Sequence, residues 1–158
     1  MAFLLALRHG PERIAVELPA VREVLRMVAL RPLPGAPPGV LGVLDLRAQA
    51  IPVLDLEQRL PSGADRPGVD HQLVVLHAGE LLLAIAVTAV DDLEEVPDEE
   101  IQPASALLPR GIPLKGLART SRGLLPIIDP DTFLRRDEVM ALRSAIQELE
   151  GGKGRASR

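Results

Sequence analysis

The stretch GVLGVLDLRAQAIPVLDLEQRL, Gly39–Leu60, decides how the rest of the chain is read. Two apolar runs flank a short polar turn, Arg47-Ala48-Gln49-Ala50, and a charged segment follows. That pattern predicts a β-hairpin. With a turn of two or four residues, strand alternation puts Leu44, Leu46, Ile51 and Val53 on one face and Val43 and Leu54 on the other. Both faces are then apolar, one lining a barrel and the other packing on a second layer. The turn also carries Arg47, a residue that no turn geometry requires.

Outward from this hairpin, the chain has 158 residues, enough for one ordinary domain. A chain of this size removes roughly 70% of its unfolded surface from water. Hydrophobic residues make up 47% but aromatics only 1%, so the core must be Leu, Val, Ile and Ala. The absence of cysteine excludes a disulfide framework or thiolate metal site and fits a reducing cytoplasm. The apolar run near the N-terminus is short, has no basic residues before it and ends in Arg8-His9-Gly10, so no signal peptide is expected. No run approaches the ~20 apolar residues of a membrane span, and no membrane insertion is expected. A net charge of −4 and pI near 5.4 argue against a phosphate-binding surface. The scarcity of aromatics removes the stacking platforms of single-strand binders. Nucleic acid is not an expected partner.

In chain order, Ala2–Arg8 and Glu12–Leu18 predict a hairpin about Gly10-Pro11. Pro19 then opens a segment whose Val21, Val24 and Leu25 have helical spacing. The proline-rich stretch Arg31–Pro38 is a connector, and Pro61–Asp70 is a loop. Strands are predicted at His71–His77 and Leu81–Val87. Val90–Val96 is acidic, Pro97–Pro109 a long loop, and Leu114–Arg119 with Gly123–Ile128 another hairpin. Asp129-Pro130 reads as a cap with proline at the first helical position. A terminal helix over 137–149 is marked by the stripe Val139, Leu142, Ile146 and Leu149, which predicts intramolecular packing. Residues 151–158, GGKGRASR, read as a disordered tail.

The chain also repeats itself. LLALRHGPERIAVELPAV (Leu4–Val21) lies over LVVLHAGELLLAIAVTAV (Leu73–Val90) without a gap, matching Gly10 to Gly79. Gly42, Pro52, Asp55 and Leu60 fall on Gly116, Pro126, Asp129 and Leu134, so Arg47-Ala48 lies over Ser121-Arg122. The expected fold is mainly β: a single domain over 1–150 made of two related subdomains, roughly 1–65 and 70–135. Each is too small to bury a good core alone, so the two share one.

Chemistry is sparse. His9 and His77 read as solvent-facing turn residues with no carboxylate at metal-ligand spacing, so no metal site is expected. No serine occupies a nucleophile elbow, and GGKG follows no strand, as a phosphate loop must. The acidic run Asp91–Glu100 lacks a calcium-loop pattern and reads as a solvated face. No catalysis and no cofactor are expected. Such a chain is most simply a binding module.

The Gly42-Val43-Leu44-Asp45-Leu46-Arg47 run followed by Ile51-Pro52-Val53-Leu54-Asp55-Leu56 resembles the G-V-x-N-L-R-G-x-x-x-P-V-x-D-L signature of CheW-like domains. Ala20-Val21-Arg22-Glu23-Val24 is similar to that family's K-V-x-E-I, Ile101-Gln102-Pro103-Ala104 to its I-x-P-x-P, and Leu114-Lys115-Gly116-Leu117 to its second-half L-x-G strand. The resemblance implies two five-stranded β-barrels on a shared hydrophobic core. It further implies a cytoplasmic, non-catalytic adaptor between chemoreceptor cytoplasmic tips and the regulatory domain of the histidine kinase CheA. Val21, Glu23, Gly42 and Arg47 match positions associated with receptor contact, and Asp45 is grouped with them as the neighbour of Arg47; kinase-contact positions stay unassigned.

Two departures stand out. Ala48 replaces a glycine, which predicts an altered turn. Asp45 replaces an asparagine and is expected to neutralise Arg47 in part. A purely structural alternative has Arg47 pairing with Asp45 or Asp55 at the surface. A second functional reading is a sensory β-barrel holding a small molecule between the subdomains.

Overall fold

The computed structural model describes residues 1–104 and 113–156, with side chains through residue 151. Its strands are β1 (Ala2–His9), β2 (Glu12–Glu17), β3 (Val21–Arg26), β4 (Val40–Leu46), β5 (Gln49–Leu54), β6 (Gln72–Ala78), β7 (Leu81–Val87), β8 (Ala89–Val96), β9 (Ile101–Pro103), β10 (Leu114–Thr120) and β11 (Gly123–Ile128). A short α1 (Leu56–Arg59) follows β5, and α2 (Arg136–Ala156) closes the described chain. The fold is therefore mainly β with a C-terminal helix. The helix continues past Leu149, where the apolar stripe ends, into the expected tail. Of the loop expected at Pro97–Pro109, Asp98–Glu100 form a 3-10 turn and Ile101–Pro103 form β9, while 105–109 lie outside the described residues.

The strands form two mixed sheets in the orders β8-β1-β2-β11-β10-β9 and β3-β6-β7-β5-β4. Neither sheet is built from one half of the sequence. The first takes β1 and β2 from the first repeat and β8 to β11 from the second; the other takes β6 and β7 from the second repeat and β3 to β5 from the first. The repeats at 1–65 and 70–135 are thus repeats of sequence, and the spatial units exchange their first hairpins. Parallel pairing of β11 with β2 and of β5 with β7 joins the exchanged pieces.

Among the described residues the ladders close neither sheet into a barrel. In the five-stranded sheet it is the connector after β3, rather than β3 itself, that reaches the opposite outer strand, β4. Backbone hydrogen bonds of 2.9 and 2.7 Å join Arg31 to Val43 there as an isolated bridge. In the six-stranded sheet, β8 pairs with β1, while β9, just beyond it in sequence, pairs with β10.

Each sheet curls around an apolar cluster of its own: Leu44, Ile51, Val53, Leu73 and Val75 in one, Leu4, Ala15, Ala118, Leu125 and Ile127 in the other. A third cluster lies between the sheets, where Leu7, Ile14 and Val16 meet Leu54, Val74, Leu76, Leu83 and Ile85. Burial on both faces explains the near-continuous apolar runs of β6 and β7. Leu44, Ile51 and Val53 share one face of the hairpin, while Val43 and Leu54 are buried on the other, as alternation requires.

The segment after Pro19 is not a helix. A 3-10 turn, Leu18–Ala20, leads directly into β3. The register of β3 against β6 shifts between Val21 and Glu23, so Arg22 is an extra residue. Val21 and Val24 therefore face the same side despite three-residue spacing, which imitates a helical period. At the C-terminus the stripe packs inward as expected: Leu142 and Ala145 are buried with Leu33 and Val43. Arg59 of α1 donates to both Glu138 oxygens at 3.2 and 2.8 Å, tying the first turn of α2 to the first repeat.

Candidate functional site

Of the five candidate residues, Val21 and Glu23 lie on β3 and Gly42 and Asp45 on β4, the two outer strands of the five-stranded sheet, and Arg47 lies in the turn that follows β4. Gly42 is buried where the chain after β3 crosses β4. A Cβ there would stand 2.6 Å from the Arg31 carbonyl oxygen and 3.0 Å from Leu30 Cβ, so only glycine permits the Arg31–Val43 bridge. Gly116 serves the same purpose in the second repeat, where a Cβ would stand 2.6 Å from the Gln102 carbonyl oxygen.

The bridge brings the charged side chains together. Asp45 is paired with Arg31, Nε to Oδ2 at 2.6 Å and Nη2 to Oδ1 at 2.8 Å. Asp45 therefore does not neutralise Arg47. Arg47 instead reaches across the sheet opening to Glu23, donating from Nη2 to Oε1. Neither Asp45 nor Asp55 is its partner; the Asp55 side chain caps the N–H of Glu57. Val21 stands apart from these pairs, half-buried against the cluster between the sheets.

The turn that carries Arg47 holds two residues, since Leu46 pairs with Gln49. Arg47 has φ 47° and Ala48 φ 65°. Positive φ at both central positions is the type I′ geometry, whose twist matches that of the flanking strands. The alanine thus adopts the left-handed conformation that a glycine would, rather than altering the turn. Two non-glycine residues in that region cost about 1–2 kcal/mol each. The tight hairpin keeps them there and holds Arg47 at the exposed end of the strip, where its side chain is 65% accessible and that of Glu23 is 24% accessible.

The duplication places a second pair at the equivalent spot. Asp92, which falls on Glu23 in the repeat, pairs with Arg122 at 3.3 Å. The two hairpin turns that differ most in sequence both send an arginine to the third strand of their own repeat. The acidic run on β8 is accordingly not a bare solvated face: Arg13 reaches Asp92 at 3.2 Å and Glu94 at 2.8 Å.

Sequence reasoning missed two groups. Arg31, placed in a connector, is the partner of Asp45 and half of the bridge; nothing in its local sequence marks it. His9, expected in solvent, is 3% exposed. Its Nε2 lies 2.8 Å from Glu57 Oε2 and 3.1 Å from the Leu60 carbonyl oxygen. Burial of the Glu57 carboxylate opposes ionisation. The N–H groups of Gly63, Ser62 and Ala64 and the adjoining His9 outweigh this, lowering its pKa from 4.5 to about 2. His77 is exposed, as expected. Among the described residues no group of three acidic or histidine side chains could hold a metal ion. No helix among them is long and apolar enough to cross a membrane.

These features define a class: an internally duplicated, two-sheet β domain with ion-paired surface strips between a hairpin turn and the third strand of each repeat. The chain belongs to the CheW-like domain family, whose pattern matches residues 4–138. It is 37% identical over 100 residues to the chemotaxis protein CheW of Rhizobium meliloti (strain 1021), covering 63% of this chain and 64% of that protein. It is 35% identical over 96 residues to protein FrzA of Myxococcus xanthus, covering 61% of this chain and 60% of that one. The chain thus spans less than two thirds of the length of these two relatives. A longer match, 25% identical over 148 residues, joins it to the chemotaxis protein CheW of Treponema pallidum (strain Nichols), with 88% of this chain and 85% of that protein covered. The crystal structure of the scaffolding protein TtCheW from Thermoanaerobacter tengcongensis superposes with a TM-score of 0.78 at 20% identity, covering 87% of this chain and 94% of that one. At that identity the superposition establishes the fold.

Proposed function

We propose that this chain is a non-catalytic, cytoplasmic adaptor that couples the cytoplasmic tips of methyl-accepting chemoreceptors to the regulatory domain of a CheA-type histidine kinase. The observation that carries this reading is the strip of Glu23, Arg47, Asp45 and Gly42, in which a strained turn presents Arg47 at the surface. Arginine suits such a site because its planar guanidinium makes geometry-specific, charge-assisted bonds to carboxylates. Its pairing with Glu23 is a surface ion pair worth about 0–1 kcal/mol, weak enough to be exchanged for a carboxylate on a receptor. Gly42 and Asp45 act through the bridge that brings the strip together, and Val21 contributes apolar surface at the start of β3.

The test is binding of the purified chain to a receptor tip fragment and to the kinase regulatory domain from the same genome. Binding to both is expected, and Arg47→Glu should weaken the receptor interaction at least about tenfold while leaving the kinase interaction and the melting temperature nearly unchanged. A folded protein that binds neither fragment overturns the proposal. The sensory-barrel reading is less favoured because Leu7, Ile14, Leu54, Val74 and Leu83 fill the space between the sheets where a ligand was expected.

A further inference from the structure

The duplication lets each repeat be read against the other. In the first repeat the chain after α1 folds back over the β1–β2 turn. Glu57 accepts the N–H groups of Ser62 at 2.9 Å, Gly63 at 2.8 Å and Ala64 at 3.3 Å. The segment lies so close that a Cβ on Gly10 would stand 2.8 Å from Ala64 Cα. The Gly10 N–H is donated to Thr88 Oγ1 at 2.9 Å, on the link between β7 and β8. That corner of the molecule is covered.

The equivalent corner of the second repeat is built at matching positions, with Asp131 rather than a hydroxyl accepting the N–H of the turn glycine. Gly79 of the β6–β7 turn falls on Gly10, Asp131 falls on Glu57, and Pro19 and Ala20 on the β2–β3 link take the place of Thr88. Among the described residues nothing covers it. A Cβ on Gly79 would meet nothing within 4 Å, and a cleft of about 380 Å³ remains, with His77, Lys115 and Glu17 on its walls. The chain after Asp131 does not fold back as residues 61–64 do. It runs into α2, which Arg59 holds against the first repeat through Glu138.

We infer that this cleft is a docking site for a small-residue turn of a partner protein, whose consecutive main-chain N–H groups are accepted by Asp131 as Ser62-Gly63-Ala64 is accepted by Glu57. Asp131 takes the Gly79 N–H at 2.7 Å on Oδ1 and is exposed, so its carboxylate has capacity for further donors. Glu17, Asp129 and Asp131 outnumber Lys115 around the cleft, which selects a donor-rich occupant over an anionic one. Lys115, paired with Glu17 at 2.5 Å on the rim, is placed to turn toward a carbonyl of the incoming chain. Small side chains are required because the turn must lie flat against Gly79, as residues 62–64 lie against Gly10. This inference uses none of the Glu23–Arg47 strip, so the two stand or fall separately.

The probe is a capped peptide with the sequence of residues 60–64, titrated into the isotopically labelled full chain and followed by amide chemical shifts. Saturable shifts at Gly79, Glu80 and Asp131 with a Kd of about 1 mM or tighter are expected. Asp131→Asn should weaken this binding at least about tenfold by removing the charge from the acceptor. His77→Trp, on the exposed rim, should block the cleft without touching Asp131, which keeps the test decisive if the first variant is unstable. Glu57→Gln should leave the binding unchanged. Shifts confined to Gly10 and residues 62–64, or no saturable shift at all, overturn the inference.

Discussion

At Arg47 the backbone conformation is as unusual as the placing of the charge. Its φ of 47° and the 65° of Ala48 hold a two-residue turn open to solvent. Replacing Ala48 with glycine should relieve one left-handed residue and stabilise the fold by about 1 kcal/mol, read as a higher urea midpoint with unchanged slope. A lower midpoint would show that the turn carries no such strain. The pairing with Glu23 also makes the structural and recognition roles of Arg47 separable. In the double variant Glu23→Arg with Arg47→Glu the intramolecular pair is restored with reversed sign. If Arg47 acts on a receptor carboxylate, binding stays weak in the double variant. Recovery of binding would assign Arg47 to structure alone.

At the scale of elements, loops and strand joins do what the strands cannot. The segment after α1 is held by a carboxylate whose pKa is brought down to about 2. A carboxyl group with a depressed folded-state pKa stabilises the fold fully above its ordinary value, 4.5 for Glu57, and loses that contribution as pH falls toward the folded value. Stability should therefore decline between about pH 5 and 2, with Ser62, Gly63 and Ala64 losing hydrogen-exchange protection first. Glu57→Gln should flatten this part of the stability profile; an unchanged profile would mean that other carboxylates carry it. The bulge at Arg22 is a second case. It shifts the alternation of β3 by one residue, so a strand carries a helix-like apolar spacing, and local periodicity alone points to the wrong element. His9 is a third, since its burial depends on a loop more than fifty positions away, beyond any local pattern.

For the molecule as a whole, the exchange of hairpins between sheets has a mechanical consequence. A fragment of residues 1–65 contains β1 to β5 but completes neither sheet, because β1 and β2 need β8 and β11 while β3 and β5 need β6 and β7. Such a fragment should show no cooperative unfolding transition, and mixing it with residues 70–158 should restore one. A sharp transition in the fragment alone would contradict the exchanged pairing. The central cluster, drawn from strands of both repeats, gives the same expectation of a single transition in the intact chain.

The local chemistry of the sequence determined the strands of the Gly39–Leu60 hairpin, the faces of Val43 and Leu44, the duplication, the inward stripe of α2 and the family signature. All of these depend on residues near one another in the chain or on spacing that survives folding. What only the tertiary structure decided is which strands pair across the repeats and which charges meet: Arg47 with Glu23, Asp45 with Arg31, His9 with Glu57. Apolar strands of similar composition are interchangeable as partners, and a flexible charged side chain finds its counterion by position in space. Neither choice is written in sequence order, so Arg47 is marked as unusual by the sequence but receives its partner from the curl of the sheet.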